Sequence, residues 1–413
     1  MARYELIEGT SSKFWEIKQE GVNVTVKWGK VGTAGQSNVK TFATAAEAKK
    51  EHDKLVGEKT RKGYRLAGGG ASAKAAPAQA AKAGTAFKMA DVDRLGGSPR
   101  DHATKFMGQK IADFDPDEGL KDPARKAYRI LQDDSFDDFL ETFAKLVADP
   151  GAAKLKALVI GGWSVDQAGG TADDGYARKL RKAIIDAADK LTGLAALFIN
   201  DTHPEEYEVS WQYFTDLAPL LDAYPGLEHL RVRGDATAKG KMGMLRSKSL
   251  RSLQLEGSSL SRKLVQQVAA AELPALEYLE IWLGPEDYAD KKPVADFAPI
   301  LSGKQFPKLR YLGLRDSDTA DDVAKAVAKA PILGQLETLD LSLGTLGDAG
   351  IEALLASPEI AKLQTLDVRF HYASKAVRKK LKALPIKVME SPSERLDDED
   401  DDEPGHRYVT VGE

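Results

Sequence analysis

Apolar positions along this chain recur with two different periods, and the change of period marks its elements. Near the start the period is two. Val22, Val24 and Val26 alternate with Asn23, Thr25 and Lys27, which predicts a strand with one apolar face. Residues 13–17 and 37–42 read as its neighbouring strands, and Gly29, Gly32 and Gly35 supply the backbone freedom of a turn. Over residues 44–55 the period lengthens to that of a helix. Ala45, Ala48, His52 and Leu55 fall near one face, and Thr44 with Glu47 has the spacing of a capping box. Residues 1–66 are therefore expected to form a small antiparallel sheet followed by a helix, an α+β unit.

From residue 155 a longer pattern takes over, L-x-x-L-x-[LIV]. Its eight copies begin at Leu155, Leu194, Leu227, Leu250, Leu276, Leu309, Leu336 and Leu363, spaced 23 to 39 residues apart. Each copy predicts a short strand with alternate leucines turned inward. The segment after it reads as a helix: Leu260, Leu264 and Val268 have helical spacing, as do Val323 with Val327, and Ile351 with Leu354 and Leu355. One such unit cannot bury its own core, but stacked units share one, and each buried leucine contributes about 1.5–3 kcal/mol. The pattern resembles a leucine-rich repeat. Residues 341–355, through Leu346, Asp348, Gly350 and Leu354, are similar to the long repeats of ribonuclease-inhibitor-like proteins. That resemblance implies an α/β solenoid, irregular here, with parallel strands on its concave face and helices on its convex face. Residues 134–147 read as a helix with Phe136, Phe139, Leu140, Phe143 and Leu146 on one stripe, suited to cap the array, and 384–389 as a last strand.

Composition sets the boundaries. Ten of the twenty residues from 67 to 86 are alanine and four are glycine, which reads as a flexible tether with a reach of about 25 Å. The expected organisation is a first domain at 1–66, a linker at 67–87, a cap at 88–150, the repeat array at 151–390 and an acidic tail at 391–413. The net charge of −4 conceals a division: residues 1–87 carry 15 basic and 8 acidic groups, and residues 391–413 carry 2 and 9. A basic first unit and a tail with seven adjacent acids at 397–403 suggest electrostatic partnership, including contact of the tail with the basic unit. Residues 407–411 alternate again like a strand that adds to a sheet edge. Cysteine is absent, which excludes disulfides, thiolate metal sites and a cysteine nucleophile. The chain begins without a signal-like apolar segment, and no apolar run approaches the roughly 20 residues of a membrane helix. The expected location is cytoplasmic, with no membrane partner.

The most specific motif is Trp28-Gly29-Lys30 with its following glycines. With residues 14–17 before it and Lys59, Lys62 and Tyr64 after it, residues 1–66 resemble the WGR domain, a module of DNA-dependent poly(ADP-ribose) polymerases and of bacterial proteins. The resemblance implies binding to DNA ends or nicks, with the motif tryptophan, Trp28, stacking on a terminal sugar. Lys30 replaces the motif arginine, so charge is kept and the planar fork is lost. The residues themselves permit the same reading: an exposed indole among Lys27, Lys30, Lys40, Lys59 and Lys62 is a stacking surface with phosphate-binding charge. Trp15 is expected in the core.

A second candidate surface is the strand face turned away from the leucines, where Phe198, Arg231, Arg233, Tyr278, Trp282, Tyr311, Arg315 and Arg369 are expected to meet a protein partner. No catalytic arrangement emerges. The six histidines are scattered, no phosphate-loop pattern follows a strand, and adjacent acid pairs read as helix-start charges. The expected function is a non-enzymatic adaptor without cofactors, binding nucleic acid at residues 1–66 and a protein on the repeat face. The alternative is a protein-interaction scaffold that binds no nucleic acid.

Overall fold

The computed structural model describes residues 2–8, 11–30, 36–61, 65–66, 102–131, 136–162, 174–202, 209–236, 242–285, 291–393 and 407–411. The expected tether at 67–87 and the acidic run at 397–403 lie outside them. The chain divides into two compact units, Met1–Phe87 and Lys88–Glu413.

In the first unit the strands are β1 (Ala2–Glu8), β2 (Ser11–Glu20), β3 (Asn23–Lys30) and β4 (Gln36–Thr41), then helix α1 (Ala45–Arg61) and the short β5 (Arg65–Leu66). They form one antiparallel sheet in the order β4-β3-β2-β1-β5. The valines of β3 behave as their alternation demands. Val24 is buried and Val26 half-buried, and both join Trp15, Ile17 and Ala48 in a core closed by Leu55 and Val56 of α1. The Glu47 amide donates to the Thr44 hydroxyl at 3.2 Å, capping the helix start. Strand β1 was not expected from the sequence. It pairs with β2 along its whole length, from Ala2 opposite Ile17 to Glu8 opposite Ser11.

The second unit is α/β with one large mixed sheet. After β6 (Lys105–Phe106), β7 (Gln109–Asp113), β8 (Ala127–Ile130) and α2 (Phe136–Ala148) come β9 (Ala157–Gly161), α3 (Asp174–Asp186) and β10 (Ala196–Asp201). Next are β11 (Tyr213–Phe214), α4 (Ala218–Ala223), β12 (His229–Arg233), β13 (Asp235–Ala236), β14 (Ser252–Glu256), α5 (Arg262–Ala269) and β15 (Tyr278–Gly284). The last are α6 (Ala298–Leu301), β16 (Tyr311–Ser317), α7 (Ala320–Ala328), β17 (Thr338–Asp340), α8 (Asp348–Leu355), β18 (Thr365–Asp367), α9 (Lys375–Leu381) and β19 (Lys387–Met389). Twelve strands pair in the order β19-β18-β17-β16-β15-β14-β12-β10-β9-β8-β7-β6, while β11 and β13 form a separate pair. Only β6 against β7 is antiparallel within the large sheet.

The sequence repeat sets the register. Leu158, Leu197, Leu230, Leu253, Leu279, Leu312, Leu339 and Leu366 lie side by side on successive strands. This ladder and the residues two places on, such as Ile199, Val232 and Ile281, pack against helix residues including Leu264, Val268, Val323, Val327, Ile351 and Leu354 in one continuous core. The aromatic stripe of α2 joins the same core through Phe136, Phe139, Phe143 and Leu146, with Leu140 half-buried against it. Strand β19 lies within the expected last strand, beside β18. Residues 407–411 form no strand, contrary to their alternation.

Candidate nucleic-acid interface

Strand β3 places Trp28 on the same sheet face as Val24 and Val26, two residues beyond the valines that α1 covers. The indole stays 39% exposed. Its strand neighbours are Trp15 on β2 and Gln36 on β4. Trp28 walls a groove of about 280 Å³ whose floor and sides are Val24, Val26, Asn38, Val39, Lys40 and Leu55. An open indole face beside a lysine is able to stack on a base or sugar while the ammonium meets a phosphate. Stacking of this kind is worth about 1–3 kcal/mol per base.

The lysines do not all converge on it. Lys40 lines the groove, exposed, with its ammonium 5.0 Å from the Phe42 ring centroid. Lys27 is one residue from Trp28 on the same strand and therefore leaves from the opposite sheet face. There its strand partner is Glu16, which is bonded to Arg3 at 2.8 Å. The Lys59 ammonium sits 5.7 Å from the ring centroid of Trp15. Lys30 ends β3 opposite Lys13, and its side chain lies outside the described residues, as does all of Lys62. Trp15 is in the core, tilted against Tyr4 with ring centroids 5.5 Å apart.

The second candidate surface is arranged differently from the open face expected of it. Phe198, Arg231, Arg233, Tyr278, Trp282, Tyr311 and Arg315 are all buried, and Arg369 is half-buried. Their polar atoms are met by carboxylates on the same strand or on the strand beside it. Glu256 accepts from Arg231 at 2.7 Å and from Arg233 at 3.0 Å, and both guanidiniums lie over the Phe198 ring. Glu280 accepts from Arg315 at 2.6 Å and from the Trp282 indole at 2.7 Å, and also from the Tyr278 hydroxyl. Tyr311 donates to Asp340 at 2.7 Å and stacks on Tyr278 with centroids 3.8 Å apart. Arg369 is closed onto Asp367 at 2.8 Å. Near β8 to β10 the face is covered by Ala103, Phe106, Met107 and Ile111. Arginines and aromatics that look like interface anchors here complete an internal network.

Glu256, Glu280 and Asp340 hold this network together; alternation places them on this face, but it does not show that they pair with the arginines. The signal lies in aligning the copies, which sets Arg233 directly beside Glu256 and Trp282 beside Arg315. Burial would raise the Glu280 carboxyl, but Arg315 and the Tyr278 and Trp282 hydrogen bonds outweigh it and bring it to about 2. Asp340 goes the other way: burial raises it more than Arg315 lowers it.

Among the described residues no group of three or more His, Asp or Glu side chains is placed to hold a metal ion, and the chain has no cysteine. Among the same residues no helix is long and apolar enough to cross a membrane.

Residues 2–70 match the family model of the WGR domain. Over 54 residues the chain is 50% identical to protein YehF of Escherichia coli K12, a stretch that covers 13% of this chain and 20% of YehF. Over 54 residues it is 43% identical to the uncharacterized protein YfeS of the same organism, covering 13% and 22%. The chain thus spans about a fifth of the length of these curated relatives. The crystal structure of a Bacteroides fragilis protein, a structural-genomics target, is similar over 94% of this chain and 95% of that one, with a TM-score of 0.56 and 29% identity. The antiparallel sheet with its helix, the Trp28-Gly29-Lys30 motif at the end of β3 and the family match agree: the N-terminal unit of this chain is a WGR domain.

Proposed function

We propose that this protein is a non-enzymatic adaptor whose WGR domain binds nucleic acid at exposed ends or nicks. The observation that carries the reading is Trp28, open to solvent above a groove that Lys40 borders. Trp28 supplies the stacking surface and Lys40 the nearest phosphate contact. Lys30 and Lys62, named from the sequence alone, are the further cations of this reading. The second unit acts as a leucine-rich-repeat scaffold that recruits a protein partner. Its in-register leucine ladder and parallel strands alternating with helices support that reading. In the same scheme the acidic run at 397–403 competes with phosphate for the basic surface.

The test is a titration of the full chain with nicked, recessed, intact and single-stranded DNA at several salt concentrations. Nicked or recessed DNA is expected to bind most tightly, with affinity falling steeply as salt rises because phosphate contacts release counterions. A Trp28→Ala chain that binds as well as the parent would remove the reading.

A second reading, a WGR domain that binds protein, is favoured by one observation: Val24, Val26 and Leu55 make the groove beside Trp28 apolar. It predicts no steep salt dependence and no preference for nicks.

A further inference from the structure

Residues 407–411 cross the ends of β16, β17 and β18 and contact each of these last three repeat units. The Arg407 guanidinium donates to the Thr345 carbonyl at 3.2 Å and to Asp321 at 3.3 Å, and lies 6.0 Å from the Tyr372 ring centroid. The Tyr372 hydroxyl receives the Tyr408 amide at 3.1 Å and donates to the Tyr408 carbonyl at 3.0 Å. The Thr410 amide donates to the Leu343 carbonyl at 2.8 Å. The Val411 amide donates to Asp316 at 3.0 Å, and its side chain is buried with Val209, Trp282, Leu343 and Phe370.

The repeat units are shaped for this. Asp316, Leu343 and Phe370 each stand two residues after the last inward side chain of their strand, and each has a positive φ, of 55°, 71° and 65°. A left-handed backbone is unfavourable for a residue with a side chain, and it persists where the surroundings fix it, commonly at ligand clamps. Asp316 is fully buried, and its second carboxyl oxygen makes no hydrogen bond. Burying such a group is costly unless it serves a contact.

We propose that these strand ends form a recognition site for an extended peptide of the pattern Arg-Tyr-Val-Thr-Val, which residues 407–411 fill within the chain. The cation is read by Asp321 and the ring of Tyr372. The backbone is read by Tyr372, Leu343 and Asp316, and the final β-branched side chain by the pocket at Trp282. The occupying segment is joined to Ser393 through thirteen residues. A short tether of this kind gives an effective concentration on the order of millimolar. A segment of the same pattern on another protein must displace it to bind. This inference is independent of the nucleic-acid reading, since it concerns only the second unit.

The test uses a fluorescent peptide of residues 405–413, followed by anisotropy. A chain ending at residue 404 is expected to bind it at least tenfold more tightly than the full chain, whose own segment competes. A Val411→Asp peptide is expected to bind at least tenfold more weakly. Equal binding by the two chains, or equal binding of the two peptides, overturns the proposal. The full chain gives a second measurement that needs no truncation. Excess unlabelled peptide is expected to speed hydrogen exchange at the Thr410 and Val411 amides severalfold, and unchanged exchange at saturating peptide also overturns it.

Discussion

Trp15 and Trp28 stand directly opposite one another on β2 and β3 and share a sheet face, yet Trp15 is 2% exposed and Trp28 39%. Trp15 is packed against α1 through Ala48, Leu55 and Val56, whereas Trp28 stands at the open groove that Leu55 also lines. Trp15→Ala is therefore expected to destabilise the domain by about 3–5 kcal/mol, the usual cost of emptying a large aromatic site. Trp28→Ala is expected to leave the unfolding free energy within about 0.5 kcal/mol of the parent while weakening DNA binding tenfold or more. Circular dichroism in urea, beside a low-salt DNA titration, separates the two effects.

Glu256 is the shared acceptor of two buried arginines. Its replacement by alanine strands both charges in a place that water does not reach. Breaking a buried pair in this way costs about 3–5 kcal/mol. Glu272→Ala, which breaks the fully solvated pair with Arg246, is expected to leave stability unchanged. Urea unfolding of the two variants decides it, and equal midpoints would mean that the buried network contributes nothing.

Gly284 closes β15 with φ of +66°, and a Cβ there would lie 1.9 Å from the Ser258 carbonyl oxygen. Since that neighbour is backbone, it cannot rotate away. Gly284→Ala is expected to cost about 2 kcal/mol or more. Gly226→Ala, where a Cβ meets nothing within 4 Å, is expected to be neutral or slightly stabilising. Melting temperatures of both chains check the contrast.

Burial, aided by the positive charge of Arg251, lowers the His229 imidazole to about 3 from its ordinary 6.5. The folded chain then binds fewer protons than the unfolded chain between those values. Stability from this site is complete above about pH 6.5 and falls as the pH drops toward 3, by up to about 1.4 kcal/mol per pH unit. Glu390 adds a separate loss at lower pH. Burial would raise its carboxyl, but hydrogen bonds from Lys382, His371 and Arg378 hold it at about 2, so its contribution fades below about 4.5. His229→Asn is expected to make the curve less steep from pH 6.5 down to 3, while the Glu390 loss below about 4.5 remains. A urea midpoint measured at half-unit steps of pH reads this directly.

Much of the architecture follows from periodicity. The leucines of each copy fix which face of a strand is inward, because a shift by one residue would expose them all. The end of α1 and the whole of β1 were not legible: Arg3 and Glu5 alternate with Tyr4 and Leu6, but the strand takes its place only through pairing with β2. Alternation also says that Arg231 and Tyr278 leave the leucine face. It does not say what lies beside them, and that depends on strands more than twenty residues away. The same holds for Lys27, whose nearness to Trp28 in sequence becomes separation by the thickness of the sheet.

Across the twelve-stranded sheet, position in space repeats position in the chain. Each strand of this sheet therefore pairs with the one that precedes it there in the sequence, and no pairing in it requires a distant downstream segment. Residues 407–411 are placed differently: they lie against three units that all precede them in the chain, so this segment can seat only once all three are in place.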